Sequence, residues 1–147
     1  LADWLATDPT GSGDPDVLML GDLNAYDKED PIDALTGSGY TDLSHYFAGE
    51  FAYSYVFNGQ LGYLDYALSS ASLLNQVSGI DQWNINSDEP DLINYDTTFK
   101  QPAQQAIYAP DAFRSSDHDP IVVGLTLGGE ANLETVFENG FENGDTD

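Results

Sequence analysis

Three short stretches carry residue types and spacings that can do chemistry. "GDLNA", residues 21–25, sets Asp22 and Asn24 two positions apart. If strand geometry persists through them, both side chains point to one side. A carboxylate and an amide converging there suit a divalent cation and a phosphate, because hard cations prefer such oxygens and the Asn NH₂ donates to an anionic oxygen. The same two residues equally suit an Asx turn that ends a strand. "SSDHDP", residues 115–120, holds His118 between Asp117 and Asp119, directly before the apolar run Ile121-Val122-Val123. Neighbouring side chains leave a strand on opposite faces unless a turn or bulge re-aims them, so one of Asp117 and His118 can bind metal while the other works on a scissile group. A turn cluster ahead of a strand uses the same residues. In "GYLDYAL", Asp65 stands among aromatic and aliphatic neighbours, where an ionised carboxylate is costly unless paired. The basic candidates are Lys28, Lys100, Arg114, His45 and His118. His118 is the best fit, since a carboxylate beside an imidazole fixes its catalytic tautomer.

The elements that must position these residues are legible in part. Leu1, Trp4 and Leu5 have helical spacing, and "TDPTGSGDPD" breaks it. The continuous run Val17-Leu18-Met19-Leu20 reads as a strand covered on both faces and stopped by Gly21-Asp22. "EDPIDALTGSGYTDL" predicts a short helix from 31 to about 35, with Asp30 as N-cap and Gly37 and Gly39 closing it. "FAYSYVF" and "GYLDYALSS" flank Asn58-Gly59-Gln60-Leu61, a β-hairpin signal. Residues 77–85 can hold a strand, and "NSDEPDLINYDTTFKQP" is a polar loop long enough to be functional or pinned by its neighbours. The last strand is expected over 121–127. The fold class expected is an α/β (α+β) sandwich built as one mostly antiparallel, mixed sheet layer with flanking helices, its strands near 17–21, 52–57, 62–68 and 121–127. "GDLNA" ends one apolar strand and "SDHDP" begins another, so antiparallel pairing of those two would bring both to one sheet edge.

The 147 residues fit one domain with a real core, assigned to residues 1–127. The acidic stretch 128–147, with its Phe-Glu-Asn-Gly duplication, reads as a flexible tail or linker. No apolar run approaches the roughly 20 residues that span a bilayer, and no membrane partner is expected. Acids outnumber Lys and Arg by 26 to 3, a formal charge of -23, so the surface repels polyanions. A nucleic-acid substrate therefore needs metal ions or a further basic surface to hold it. There is no cysteine, hence no disulfide framework. Arg114, the only arginine, either touches phosphate or pairs with one of the acids, the second being favoured in so acidic a chain. His45, in "DLSHYF", reads as a surface or packing residue.

"GDLNA", the internal "LDY" and the late "SDHDP", in that order, resemble the C-terminal half of the endonuclease/exonuclease/phosphatase superfamily, the DNase I-like fold. The longer strings "LGYLDYALSS" and "YAPDAFRSSDHDPIVVGL" are similar to the large secreted bacterial nucleases within it. The resemblance covers about residues 1–127. It implies metal-dependent phosphodiester hydrolysis of DNA or RNA by an extracellular enzyme. Asp22 would orient or activate the attacking water, Asn24 would hold the phosphate, and Asp65 would orient His118. Asp117, with Asp22 and Asn24, would ligate Mg²⁺, Mn²⁺ or Ca²⁺. His118 would contact the scissile phosphate as acid, base or hydrogen-bond donor. The superfamily's N-terminal half, with a metal-binding Glu and a second catalytic His, has no counterpart ahead of Asp22. The expected partners are accordingly a nucleic acid and that missing half or a second chain, and the chain alone is expected to have little activity. Two other readings use the same carboxylates: an acidic Ca²⁺-binding or structural module of a secreted protein, and a phosphatase acting on a lipid or sugar phosphate.

Overall fold

The computed structural model describes residues 1–127; the expected tail 128–147 lies outside them. The described residues form a small mixed α/β domain of short antiparallel sheets and short helices. Helix α1 (Ala2–Leu5) leads through a loop to strand β1 (Leu18–Asp22). Helix α2 (Asp30–Gly37), strand β2 (Thr41–Asp42) and helix α3 (Leu43–Ala48) follow. Next come strands β3 (Tyr55–Phe57), β4 (Gln60–Gly62) and β5 (Asp65–Ser69), and helix α4 (Ala71–Leu74). Strand β6 (Val77–Gln82), helix α5 (Pro102–Gln105) and strand β7 (Ile121–Leu125) complete the described chain.

The single sheet layer expected from the sequence is instead three small sheets: β1-β5-β2, β3-β4 and β6-β7. Asn58 and Gly59 explain one division. Their φ values of 51° and 77° are those of a two-residue type I′ turn, so Phe57 pairs with Gln60 and the hairpin is tighter than a four-residue connection. The stretch 62–68 then divides, with Gly62 ending β4 and Asp65 opening β5.

β5 is the central strand of its sheet. Tyr66, Ala67 and Leu68 are 1%, 0% and 0% exposed, as a strand with a neighbour on each side should be. β1, expected to be covered on both faces, is an edge strand: Leu20 is 60% exposed, and no described strand pairs with its outer side. Its apolar run satisfies one face, and on the other Leu20 has no cover among the described residues.

The core joins Ala25, Ile32, Leu35, Ala52, Tyr63, Tyr66 and Leu68. Ile32 and Leu35, three apart on α2, share the face that enters it. α2 begins one residue earlier than expected, so Asp30 is its first helical residue rather than its cap, and Glu29 holds the cap position without a cap hydrogen bond. Its end is a Schellman motif: Gly39 N–H donates to Thr36 O at 3.0 Å and Tyr40 N–H to Leu35 O at 3.3 Å, with Gly39 at φ 97°. β2 and α3 have no counterpart in the sequence reading. They share Asp42, whose carboxylate accepts from Ser44 N–H at 2.9 Å and His45 N–H at 3.3 Å and so starts α3.

Residues 83–120 connect β6 to β7 with little regular structure; they are tied to the neighbouring segment through Tyr53 Oη–Asp88 at 2.8 Å and Asp119 N–Ser54 O at 2.7 Å, and to themselves by buried and half-buried cations. Lys100 Nζ donates to the carbonyls of Leu92 and Asn94, at 3.0 and 2.7 Å. Arg114 binds Asn86 O at 2.9 Å and Asp91 at 2.5 Å. β7 stops at Leu125 and pairs with β6, not with β1. The direct β1 and β7 pairing expected to assemble the site is therefore absent, and the assembly runs through β3 and β5.

Candidate functional site

Asp22 is the last residue of β1 and Asp65 the first of β5, and the antiparallel register sets them directly opposite each other. Gly21, at φ 146°, gives the strand a backbone turn just before Asp22 that a side-chain-bearing residue rarely adopts. Two carboxylates facing across a strand pair repel, so this placement costs free energy unless a positive group lies between them. His118 is the nearest hydrogen-bonding partner of Asp65. Its Nδ1 lies 2.7 Å from Asp65 Oδ2, with the two side chains only 20% and 18% exposed. One ligand atom from each of Asp22, Asp65 and His118 lies within 4.8 Å of the others. The pairing of Asp65 with His118 reasoned from the sequence is thus present, and Asp22 stands beside it.

His118 comes from the irregular segment, and four contacts hold it. An isolated antiparallel bridge joins it to Tyr55, whose ring lies 4.5 Å from the imidazole between centroids. Asn86 Nδ2 donates to its carbonyl at 2.7 Å, and its own N–H donates to Ser116 Oγ at 3.1 Å. Asp65 takes the ring nitrogen. Because a carboxylate only accepts, the neutral ring carries its proton on Nδ1 and leaves Nε2 for a substrate or ion.

The aspartates flanking His118 have opposite environments. Asp119 is 2% exposed. Its carboxylate accepts from the N–H groups of Asn86 and Ser87, both at 2.9 Å, and from the Ser87 hydroxyl. It is a clamp that ties the histidine segment to residues 86–87. Asp117 is half-buried and stands outside the group of three; no described residue donates a hydrogen bond to its carboxylate. Its negative charge, after burial itself, pushes the Tyr55 hydroxyl above the ordinary tyrosine value.

Asn24 is not on a continuing strand. Its φ is 49° and its N–H donates to Asp22 Oδ1 at 2.7 Å, an Asx turn. The same-face argument therefore fails at Asn24, while the turn keeps the residue adjacent to the Asp22 carboxylate. Arg114 is 8% exposed and spent on Asn86 O and Asp91, the salt-bridge alternative rather than phosphate contact. His45 is exposed on α3 and is not one of the group.

Sequence reasoning missed Ser54, Tyr55, Asn86 and Asp119. Of these, Asp119 had a faint signal, a buried-turn Asp directly before Pro120; Asn86 and Ser54 act through partners 32 and 11 positions away. No family model matches the sequence, and no match was found among curated proteins or solved structures. The residues themselves have to carry the functional argument.

Proposed function

We propose that the chain carries the catalytic carboxylates and histidine of a metal-dependent phosphodiesterase of DNase I-like type, secreted and acting on nucleic acid. One observation carries this reading. Asp22, Asp65 and His118, from three separated motifs, meet within 4.8 Å around a 2.7 Å Asp65–His118 bond.

The donor set suits a divalent cation such as Mg²⁺, Mn²⁺ or Ca²⁺. Asp65 commits one oxygen to His118, whereas the second oxygen of Asp22, the Asn24 amide and the Asp117 carboxylate have no protein partner among the described residues. These are hard oxygen ligands, and Asp22, Asn24 and Asp117 would hold the ion. Lys100 and Arg114 are both spent inside the 83–120 segment, so no guanidinium or ammonium there competes for the role. When bound, the ion supplies Lewis-acid polarisation of a phosphoryl oxygen and screens the chain's -23 charge from a polyanion.

Asp22 orients the attacking water, and Asn24 donates its amide N–H to a non-bridging oxygen. His118, oriented by Asp65, presents Nε2 to the phosphoryl group, where the imidazolium form donates to developing negative charge. The open edge of β1, with Leu20 exposed, is the surface on which the other half of the domain, or a second chain, completes the sheet and the site.

The test is relaxation of supercoiled plasmid in Mg²⁺ or Mn²⁺, slow for this chain and faster with the completing half. Chelation should stop it, and His118→Ala and Asp22→Asn should each remove it. Cleavage that persists in both variants would sink the reading. A second reading, an acidic Ca²⁺-holding module, is favoured by the unpartnered Asp117 carboxylate; saturable Ca²⁺ binding with no cleavage by the completed domain would establish it instead.

A further inference from the structure

The geometry points to Ser54 as the positioning residue that holds the Asp65–His118 pair in register. Its consequence for catalysis rests on the phosphodiesterase reading; its structural claim does not.

Ser54 is 0% exposed. Its hydroxyl donates to Asp65 Oδ2 at 2.9 Å, the same oxygen that His118 Nδ1 meets at 2.7 Å. A carboxylate turns about its terminal torsion, which is broad and roughly two-fold, and its two oxygens are equivalent when ionised, so one donor alone leaves the plane of the group free to swing. Two donors meeting a single oxygen fix that plane and keep an oxygen against the ring.

The anchor is rigid because the Ser54 backbone is held on both sides. Its N–H donates to Gly62 O at 3.0 Å, and its carbonyl accepts from Asp119 N–H at 2.7 Å. The first bond ties Ser54 to the end of β4, three residues before Asp65, and the second ties it to the residue after His118. The next residue, Tyr55, lies against the imidazole. Ser54 thus contacts the chain segments of both partners and the carboxylate between them. A buried hydroxyl that served packing alone would need only one acceptor of any kind, and nothing would require that acceptor to be the oxygen shared with His118.

A second consequence follows for the ring. Asp65 acts as an acceptor toward Nδ1 only while the plane of its carboxylate keeps an oxygen facing the imidazole, and this contact selects the Nδ1–H tautomer with Nε2 free. Losing the Ser54 hydroxyl lets the carboxylate turn and the neutral ring populate the other tautomer.

Ring ¹⁵N spectra of His118 in the whole chain test this. Wild type should show a single Nδ1–H tautomer in the neutral ring. Ser54→Ala should show a several-fold rise in the Nε2–H form, and Ser54→Cys, nearly isosteric but a poor donor, should do the same. Ser54→Thr, which keeps the hydroxyl, should restore the wild-type spectrum. In a cleavage assay of the completed domain, Ser54→Ala should lower kcat by about 10–100-fold with KM little changed, the range found when a residue supporting a site ligand is lost. An unchanged tautomer in folded Ser54→Ala and Ser54→Cys would overturn the assignment. If wild type cleaves nothing, the phosphodiesterase reading falls, and the ring spectra still decide the role of Ser54.

Discussion

The two parts of the molecule that meet at the site are held by different physics. Asp22 and Asp65 sit at the ends of paired strands, and the pairing continues past the named ladder, with Leu23 N–H donating to Leu64 O at 2.9 Å. Behind them lies the apolar cluster of Ile32, Leu35, Tyr66 and Leu68. His118 arrives on residues 83–120, where polar side chains replace strand pairing: buried Asp119 on Asn86 and Ser87, buried Arg114 on Asn86 O and Asp91, and half-buried Lys100 on two carbonyls. A ladder with an apolar core tolerates small local changes because its free energy is spread over many contacts. A polar clamp concentrates its contribution in a few groups, each costly to leave unsatisfied once buried. The carboxylates are therefore the firm part of the site and the histidine the part that can be displaced.

That contrast can be broken or sharpened experimentally. The largest effect belongs to the chemistry. On the proposed phosphodiesterase reading, His118→Ala should lower phosphodiester hydrolysis about 10²–10⁴-fold, the range for loss of a positioned acid or base. The amide spectrum of β1, β5 and β2 should be unchanged; a collapse of those signals would mean that the histidine supports the ladder as well.

Next come the two stability variants that separate the regions. Leu68→Ala should cost about 2–5 kcal/mol and lower protection throughout the chain, because it opens a cavity in the shared core. Asp119→Ala should cost about 1–3 kcal/mol, by leaving buried donors unpaired, and raise hydrogen exchange chiefly over 83–120. Uniform loss of protection in both variants would remove the distinction.

The ion should act at the junction. Mg²⁺ or Mn²⁺ at about 100 times its Kd should stabilise the fold by about 2.7 kcal/mol in a thermal melt. Asp22→Asn should abolish most of that gain, whereas an undiminished shift would move the ion elsewhere.

The smallest effect lies on the ladder side. Tyr63 donates to Asp42 at 2.8 Å, and burial together with that carboxylate raises the phenol far above its ordinary value of 10.0. A raised folded value contributes stability that is complete below the unfolded value and is lost as pH rises toward the folded one. Stability should therefore decline with pH above about 10. Tyr63→Phe should flatten the decline and cost about 1.5 kcal/mol near neutrality, the lower range for a hydrogen bond to a charged group. An identical alkaline slope in denaturant titrations of the variant would show that another tyrosine governs it.

The sequence made some features readable because they are local. Asn58-Gly59 demands positive φ and so announces its turn; Gly39, at φ 97°, closes α2 for a related reason. The end of β1 was read within a residue, but its exposure was not, since a continuous apolar run says that a strand wants cover and not whether a neighbour supplies it. Asn24 illustrates the competing local rule: the Asx turn won over strand alternation because the Asp22 carboxylate reaches the N–H two residues on.

What the sequence by itself determined was the need for a partner at Asp65 and the shortage of candidates for it, because an acid among aromatic residues and a chain with few basic side chains leave little choice. Only the tertiary structure decided that Asp22 stands opposite Asp65, that Asp119 rather than Asp117 is the buried aspartate beside His118, and that Ser54 reaches the shared oxygen. Register and buried polar pairing depend on which segments meet. Contacts across 33 or 53 positions leave no periodic trace in either segment alone.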